Sequence, residues 1–120
     1  MEFIRHYNKW PWGNNVIIIT NDGCGTATVT FAKGQPSDVG LISDMSVHIT
    51  HRCEGYGNRL LKECEDEIKR HGLTTAKLYA KLHSVAYHWY KRHGYVEIPE
   101  ITIFPQCDDD TMCVTMSKAL

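Results

Sequence analysis

No apolar run in this chain approaches the roughly 20 residues that a membrane-spanning helix needs, so no membrane partner is expected. Neither sign of charge is in excess: 13 Lys and Arg stand against 14 Asp and Glu, a formal net charge of -1. That balance excludes a broad electrostatic footprint for nucleic acid. The start, Met1-Glu2-Phe3-Ile4-Arg5-His6, lacks the charged opening and apolar core of a secretory signal, which predicts a cytoplasmic location. There is no Cys-x-x-Cys pair, and the odd set Cys24, Cys53, Cys64, Cys107 and Cys113 fits reduced thiols in a reducing compartment. Cys107, Cys113 and a histidine are a conceivable ligand set but lack recognisable zinc spacing, so no metal is expected. Absent too are a Walker-type phosphate loop, a Gly-x-Gly-x-x-Gly fingerprint, internal repeats and low-complexity tracts.

The composition, 42% hydrophobic and 22% charged over 120 residues, is that of an ordinary globular protein. It predicts one domain, 1–120, around a single modest core. Residues 1–15 are aromatic (Tyr7, Trp10, Trp12) and read as irregular. Residues 16–20 are β-branched, Asn21-Asp22-Gly23 is a turn signal and 26–32 alternates, a hairpin pattern. A third strand is expected over 41–49. Residues 58–71 carry Leu60, Leu61, Cys64 and Ile68 on one stripe, the spacing of an amphipathic helix, with Gly72 as its stop. A strand over 75–82 follows, then a helix capped by Ser84 and ended by Gly94. A closing strand pair, 95–104 and 111–117, is joined through the acidic Asp108-Asp109-Asp110. The predicted order is β-β-β-α-β-α-β-β, in the α/β class and of the α+β kind.

Between the third strand and the first helix stands His51-Arg52-Cys53-Glu54-Gly55-Tyr56-Gly57-Asn58. Glycines let the backbone approach a ligand closely. The first helical turn leaves N–H groups without intrachain acceptors, and the positive end of the helix dipole adds to them. Such a cradle suits a phosphate or pyrophosphate.

The spacing Arg52-x-x-Gly55-x-Gly57 resembles the pyrophosphate-binding signature of the GNAT acetyltransferases, (Gln/Arg)-x-x-Gly-x-(Gly/Ala). Val47 stands five residues ahead of Arg52, as in that family. Downstream, His83-Ser84-Val85-Ala86-Tyr87-His88-Trp89-Tyr90-Lys91-Arg92-His93-Gly94-Tyr95 matches a second family pattern at Ala86, Tyr90, Gly94 and Tyr95, with His83 where Asn is usual. The likeness is best over residues 40–98. It implies a GNAT-like mixed β-sheet flanked by helices, with splayed central strands that admit the cofactor. It implies acetyl-CoA as co-substrate and a primary amine, on a small molecule or a peptide, as acceptor. Transfer would be direct attack within a ternary complex.

The resemblance also distributes roles. The N–H groups of Cys53, Glu54, Gly55, Tyr56, Gly57 and Asn58, with the charge of Arg52, would hold the pyrophosphate. The backbone of Met45, Ser46 and Val47 would pair with the pantetheine arm as if it were an added strand, and an N–H of that strand would polarise the thioester carbonyl. His83 would also contact the cofactor. Tyr90 is the proton donor for the departing thiolate, since a phenol with a reference pKa near 10 is protonated at neutral pH; Tyr87, about one turn earlier, is the reserve. The general base stays open among Asp44, His48, His83 and a water chain. Asp44, nearest the expected splay, is carried with Tyr90 as a catalytic candidate.

Two features depart from the family. Glu54 puts a carboxylate in the loop where a basic residue is common, and it is expected to face solvent. Only 15 residues precede Val16, little room for the family's first strand and first two helices, which form one wall of the acceptor site. The aromatic segment, a second subunit in a homodimer or an open site are the alternatives. The departures leave a rival function, a catalytically degenerate CoA-binding or protein-interaction module. Asp108-Asp109-Asp110 could attract a cationic acceptor or simply be solvated.

Overall fold

The computed structural model describes residues 2–32, 38–51, 55–101 and 113–120. Seven strands and two helices are distributed over two compact units, residues 1–76 with Leu120, and residues 77–119.

The first unit opens with an antiparallel meander of β1 (Phe3–Trp10), β2 (Gly13–Thr20), β3 (Gly25–Ala32) and β4 (Val39–Val47), each strand paired with the next. The predicted hairpin is β2 and β3, in register from Gly13 opposite Ala32 to Ile19 opposite Thr26. Along β2, Val16, Ile18 and Thr20 are buried while Ile17 and Ile19 are only partly covered, the period-2 signature of a strand with one face on a core.

The N-terminal segment corrects the sequence reading. Residues 3–10 are not irregular but form β1, joined to β2 by the two-residue turn Pro11-Trp12. The expected order of elements is present, preceded by this one further strand. Its exposed residues mix Ile4 with polar and aromatic side chains, so it shows almost no apolar alternation. What holds it is charge: Glu67, 2% exposed on the following helix, accepts from Arg5 Nε at 3.2 Å, Tyr7 Oη at 3.2 Å and Arg70 at 2.7 Å. Arg5 also pairs with Glu63. A buried carboxylate is costly unless several donors satisfy it, and two of these donors come from β1.

After a 3-10 turn (Ile49–His51) and the signature segment comes α1 (Tyr56–Arg70). Leu60, Leu61, Cys64 and Ile68 are all buried, as the stripe predicted, against Val16, Ile18, Ala27, Val29 and Ile42 of the sheet's inner face. Gly40 lets the helix come close: a Cβ there would lie 2.5 Å from Ile68 Cγ1. Burial pushes the Cys64 thiol up to about 12, with Glu65 and Glu63 adding to the effect, so it is an inert core thiol.

In the second unit lie most of β5 (Thr75–Lys81), then α2 (Val85–Arg92), β6 (Val96–Ile101) and β7 (Cys113–Ala119), with β7 hydrogen-bonded between β5 and β6. Among the described residues Leu78, Ala80, Tyr87, Tyr95, Val114 and Met116 are its buried apolar side chains, joined by Lys77 and Thr115. The β6–β7 register shifts between Ile98 and Ile101, where Pro99 has no N–H to give the ladder. Cys24 and Cys64 are reduced, but Cys113 is disulfide-bonded, which departs from the expectation of thiols throughout. Among the described residues no helix is long and apolar enough to cross a membrane.

Candidate functional site

The expected cofactor strand is the end of β4. Between the pairs Thr26–Ser46 and Thr28–Ser43, Asp44 and Met45 together face Ala27 alone, so β4 carries a bulge. Asp44 takes the left-handed region at φ 53, which Asp tolerates better than most side chains. The bulge re-aims the strand just before Ser46 and Val47, and Asp44 itself is exposed. Past β4, His48 N–H donates to the carbonyl of Cys24 at 2.6 Å and ties the strand end to the β2–β3 turn.

The helix start is the second piece. Gly55 occupies the cap position of α1 at φ 82, and among the described residues no side chain caps it. The helix begins at Tyr56, two residues earlier than predicted, so Tyr56 and Gly57 lie in its first turn rather than before it. The amides of that turn have no carbonyl behind them within the helix. The first helical bond runs from Arg59 N–H to Gly55 O at 3.2 Å. A Cβ placed on Gly55 would meet nothing within 4 Å among the described residues. Arg52, Cys53 and Glu54 lie outside the described residues.

Sequence reasoning missed what steadies this corner. Tyr56 Oη donates to Asp22 Oδ2, Thr20 Oγ1 donates to Asp22 Oδ1 at 2.6 Å, and Cys24 N–H donates to the same oxygen at 3.0 Å. The Thr20 and Tyr56 hydroxyls and then the Cys24 amide hold the Asp22 carboxyl well below the usual carboxylate range. His51 stacks on the Tyr56 ring with centroids 5.0 Å apart. Asp22 had been read only as a turn residue, and Tyr56 only for its amide. Asp22, Cys24 and His51 also place one potential metal-ligand atom each within 4.8 Å of one another.

His48 is exposed, and its Nδ1 accepts from Thr50 N–H at 3.3 Å while lying 2.8 Å from Thr50 Oγ1. That nitrogen serves a local turn, which weakens His48 as a base. A cavity of about 360 Å³ at the β1–β2 turn is lined by Lys9, Trp10, Pro11, Gly13, Asn14 and Phe31, and none of the predicted site residues lines it.

In the second unit, Ser84 Oγ accepts from Tyr87 N–H at 3.1 Å and caps α2 as expected. Tyr87 is buried and its hydroxyl donates to Glu97 Oε2 at 2.9 Å. Tyr90 is half-buried, edge-on to Tyr95 at 5.7 Å and to Trp89 at 5.1 Å. The two tyrosines are therefore not equivalent: Tyr87 is a packed core residue with its proton committed to Glu97. His83 is exposed at φ 61, edge-on to Tyr87 at 5.8 Å.

The comparisons agree with this layout. Residues 12–97 match the model of the acetyltransferase (GNAT) domain. No curated protein matches the chain by sequence. Among solved structures, an acetyltransferase from Bacillus cereus is 24% identical, with 88% of this chain and 71% of that one covered and a TM-score of 0.66. The ribosomal-protein-S18-alanine N-acetyltransferase of Escherichia coli is 18% identical over 92% of this chain and 71% of that one, TM-score 0.69. The NatC complex bound to Gag peptide and CoA is 16% identical over 88% of this chain and 70% of the matched chain, TM-score 0.71. At these identities the structural likeness establishes the fold, and the domain match, spanning well over half of the sequence, establishes the family: the chain belongs to the GNAT acetyltransferases.

Proposed function

We propose that this protein is an N-acetyltransferase that moves an acetyl group from acetyl-CoA to a primary amine by direct attack in a ternary complex. The observation that carries this reading is the start of α1: a left-handed Gly55 before an opening without a side-chain cap. Such a start offers amide donors and the positive helix end to a pyrophosphate. Among the described residues nothing lies within 4 Å of a Cβ placed on Gly55, which supports this reading. In this proposal Arg52, Cys53, Glu54, Gly55, Tyr56, Gly57 and Asn58 hold the pyrophosphate. Met45, Ser46 and Val47 hold the pantetheine arm along the end of β4, from the bulge onward, and His83 adds a contact.

Acetyl-CoA, when bound, supplies an activated acetyl thioester. The chain's own part is to position it, to polarise its carbonyl and to manage two protons. A β4 amide preplaced toward the carbonyl oxygen stabilises the charge that develops there. Tyr90, at the family's tyrosine position on α2, gives its phenolic proton to the departing thiolate, while the neighbouring Tyr87 hydroxyl donates to Glu97. Asp44, exposed at the bulge, offers a carboxylate for the proton that the amine loses.

The test has two steps. Isothermal titration with acetyl-CoA and with CoA should show saturable binding. A thiol-release assay over small amines, lysine and short peptides should then show turnover with at least one acceptor class. Binding without turnover on any of them would favour the degenerate CoA-binding reading. No binding at millimolar acetyl-CoA would overturn the proposal.

A further inference from the structure

The turn between β2 and β3 and the 3-10 turn after β4 meet through side chains that are all potential metal ligands. One atom each of Asp22, Cys24 and His51 lies within 4.8 Å of the other two. We propose that these three residues form a binding site for a single divalent transition-metal ion of the zinc class. The proposal is independent of the acetyl-transfer reading.

The donor set selects the ion. A thiolate and an imidazole beside one carboxylate suit a borderline-soft cation, whereas Mg²⁺ and Ca²⁺ seek oxygen alone. Tetrahedral zinc places its donor atoms about 3.3–3.7 Å apart. The present spacing closes to that with side-chain movements of about 1 Å at most, within the reach of one χ adjustment. Asp22 is exposed and Cys24 and His51 are half-buried, so an ion can reach all three side chains from solvent.

The carboxylate is already oriented. Thr20 Oγ1 and the Cys24 amide hold Oδ1 at 2.6 and 3.0 Å, and Tyr56 donates to Oδ2. Outer hydrogen bonds of this kind fix a ligand before the ion arrives. On binding, the Cys24 S–H bond breaks, its proton leaves to solvent and a sulfur–metal bond forms. Thiolate and carboxylate then balance the two charges of the ion, with His51 neutral.

The ion would clamp the β2–β3 turn to the residue directly before Arg52, and so fix where the signature segment departs. The sequence reading weighed only Cys107, Cys113 and a histidine as ligands; Asp22 and His51 are far apart in the chain and only the fold brings them together.

Titration of the protein with Co²⁺ tests this. The expected result is a saturable tetrahedral spectrum at one ion per chain, with a thiolate-to-cobalt charge-transfer band, bleached by Zn²⁺. Cys24→Ser should remove the band, and His51→Ala should lower saturation at equal Co²⁺. Thr20→Val, which removes the outer hydrogen bond to Asp22 and also leaves the Gly25 N–H without its acceptor, should keep the band and weaken affinity by about tenfold or more. Zn²⁺ should raise the melting temperature of the parent protein and not of Cys24→Ser. Should Cys24→Ser fail to fold, His51→Ala and Thr20→Val carry the test. An absent spectrum, or one unchanged in a folded Cys24→Ser or His51→Ala protein, would overturn the site.

Discussion

The two helices begin in opposite ways. At α2, Ser84 takes the Tyr87 amide and closes the start in the ordinary manner. At α1, Gly55 adopts φ 82 and no described side chain closes it. A missing cap costs about 1 kcal/mol. For α1 that loss is small: it buries Leu60, Leu61 and Ile68, each worth about 1.5–3 kcal/mol, and carries Lys69 and Arg70 at its C-terminal end. For α2, whose only fully buried side chain is Tyr87, the same loss is a large share of what fixes it. The well-buried helix is the one that can leave its amides to a ligand. The lightly buried helix closes its own start with Ser84, and in the proposed reaction its contribution is a side chain, Tyr90.

The strongest way to break that contrast is to fill the opening of α1 with the wrong charge. Gly55→Glu puts a carboxylate before amides assigned to a pyrophosphate. Like-charge contact of several kcal/mol predicts a loss of CoA affinity of more than about a hundredfold. The left-handed backbone adds a stability cost of about 1–2 kcal/mol. Gly55→Ala bears the backbone cost without the charge and should lose far less affinity. Unchanged CoA binding in a folded Gly55→Glu protein, read by calorimetry, would remove the pyrophosphate from this corner.

The next largest effect belongs to α2 and should appear in turnover rather than affinity. Tyr90→Phe deletes one hydroxyl and is expected to lower kcat by about a hundredfold, the usual scale of general acid catalysis, while CoA affinity holds. Tyr87→Phe is the matched control. It loses the bond to Glu97 at about 1 kcal/mol of stability and leaves kcat near the parent value. If the two variants exchanged these outcomes, the proton donor would be Tyr87 after all.

How much of this was legible in the sequence follows from where each signal lives. Short-range patterns were readable: the alternation of β2, the stripe of α1, the Ser84 cap and the Asn21-Asp22-Gly23 turn all fold as their spacing suggested. β1 was not readable, because its stability comes from Arg5 and Tyr7 reaching Glu67 across about 60 residues, a contact with no periodicity. The start of α1 was misplaced by two residues because Gly57, which reads as turn, is carried inside the helix. The ranking of Tyr90 over Tyr87 came from family resemblance alone, since both lie on one helix face. The bond from Tyr87 to Glu97 is a tertiary contact that no spacing on the helix marks. The grouping of Asp22, Cys24, His51 and Tyr56 needed three chain segments to meet, and only the fold supplies that.

The smallest effect is the most direct check on the contrast itself. Ser84→Ala removes the α2 cap and should cost about 1 kcal/mol in denaturant unfolding. It should leave CoA affinity where it was, because the amide it exposes belongs to a helix start with no assigned ligand. The same cap deletion has no counterpart at Gly55, where there is no side-chain bond to lose. If Ser84→Ala weakened CoA binding as much as Gly55→Ala, the two starts would not differ in kind, and the affinity effects at Gly55 would have to be ascribed to general loosening of the fold rather than to a cradle. If stability falls and affinity does not, each helix start has been shown to do one thing, holding its own first turn in α2 and leaving it to a ligand in α1.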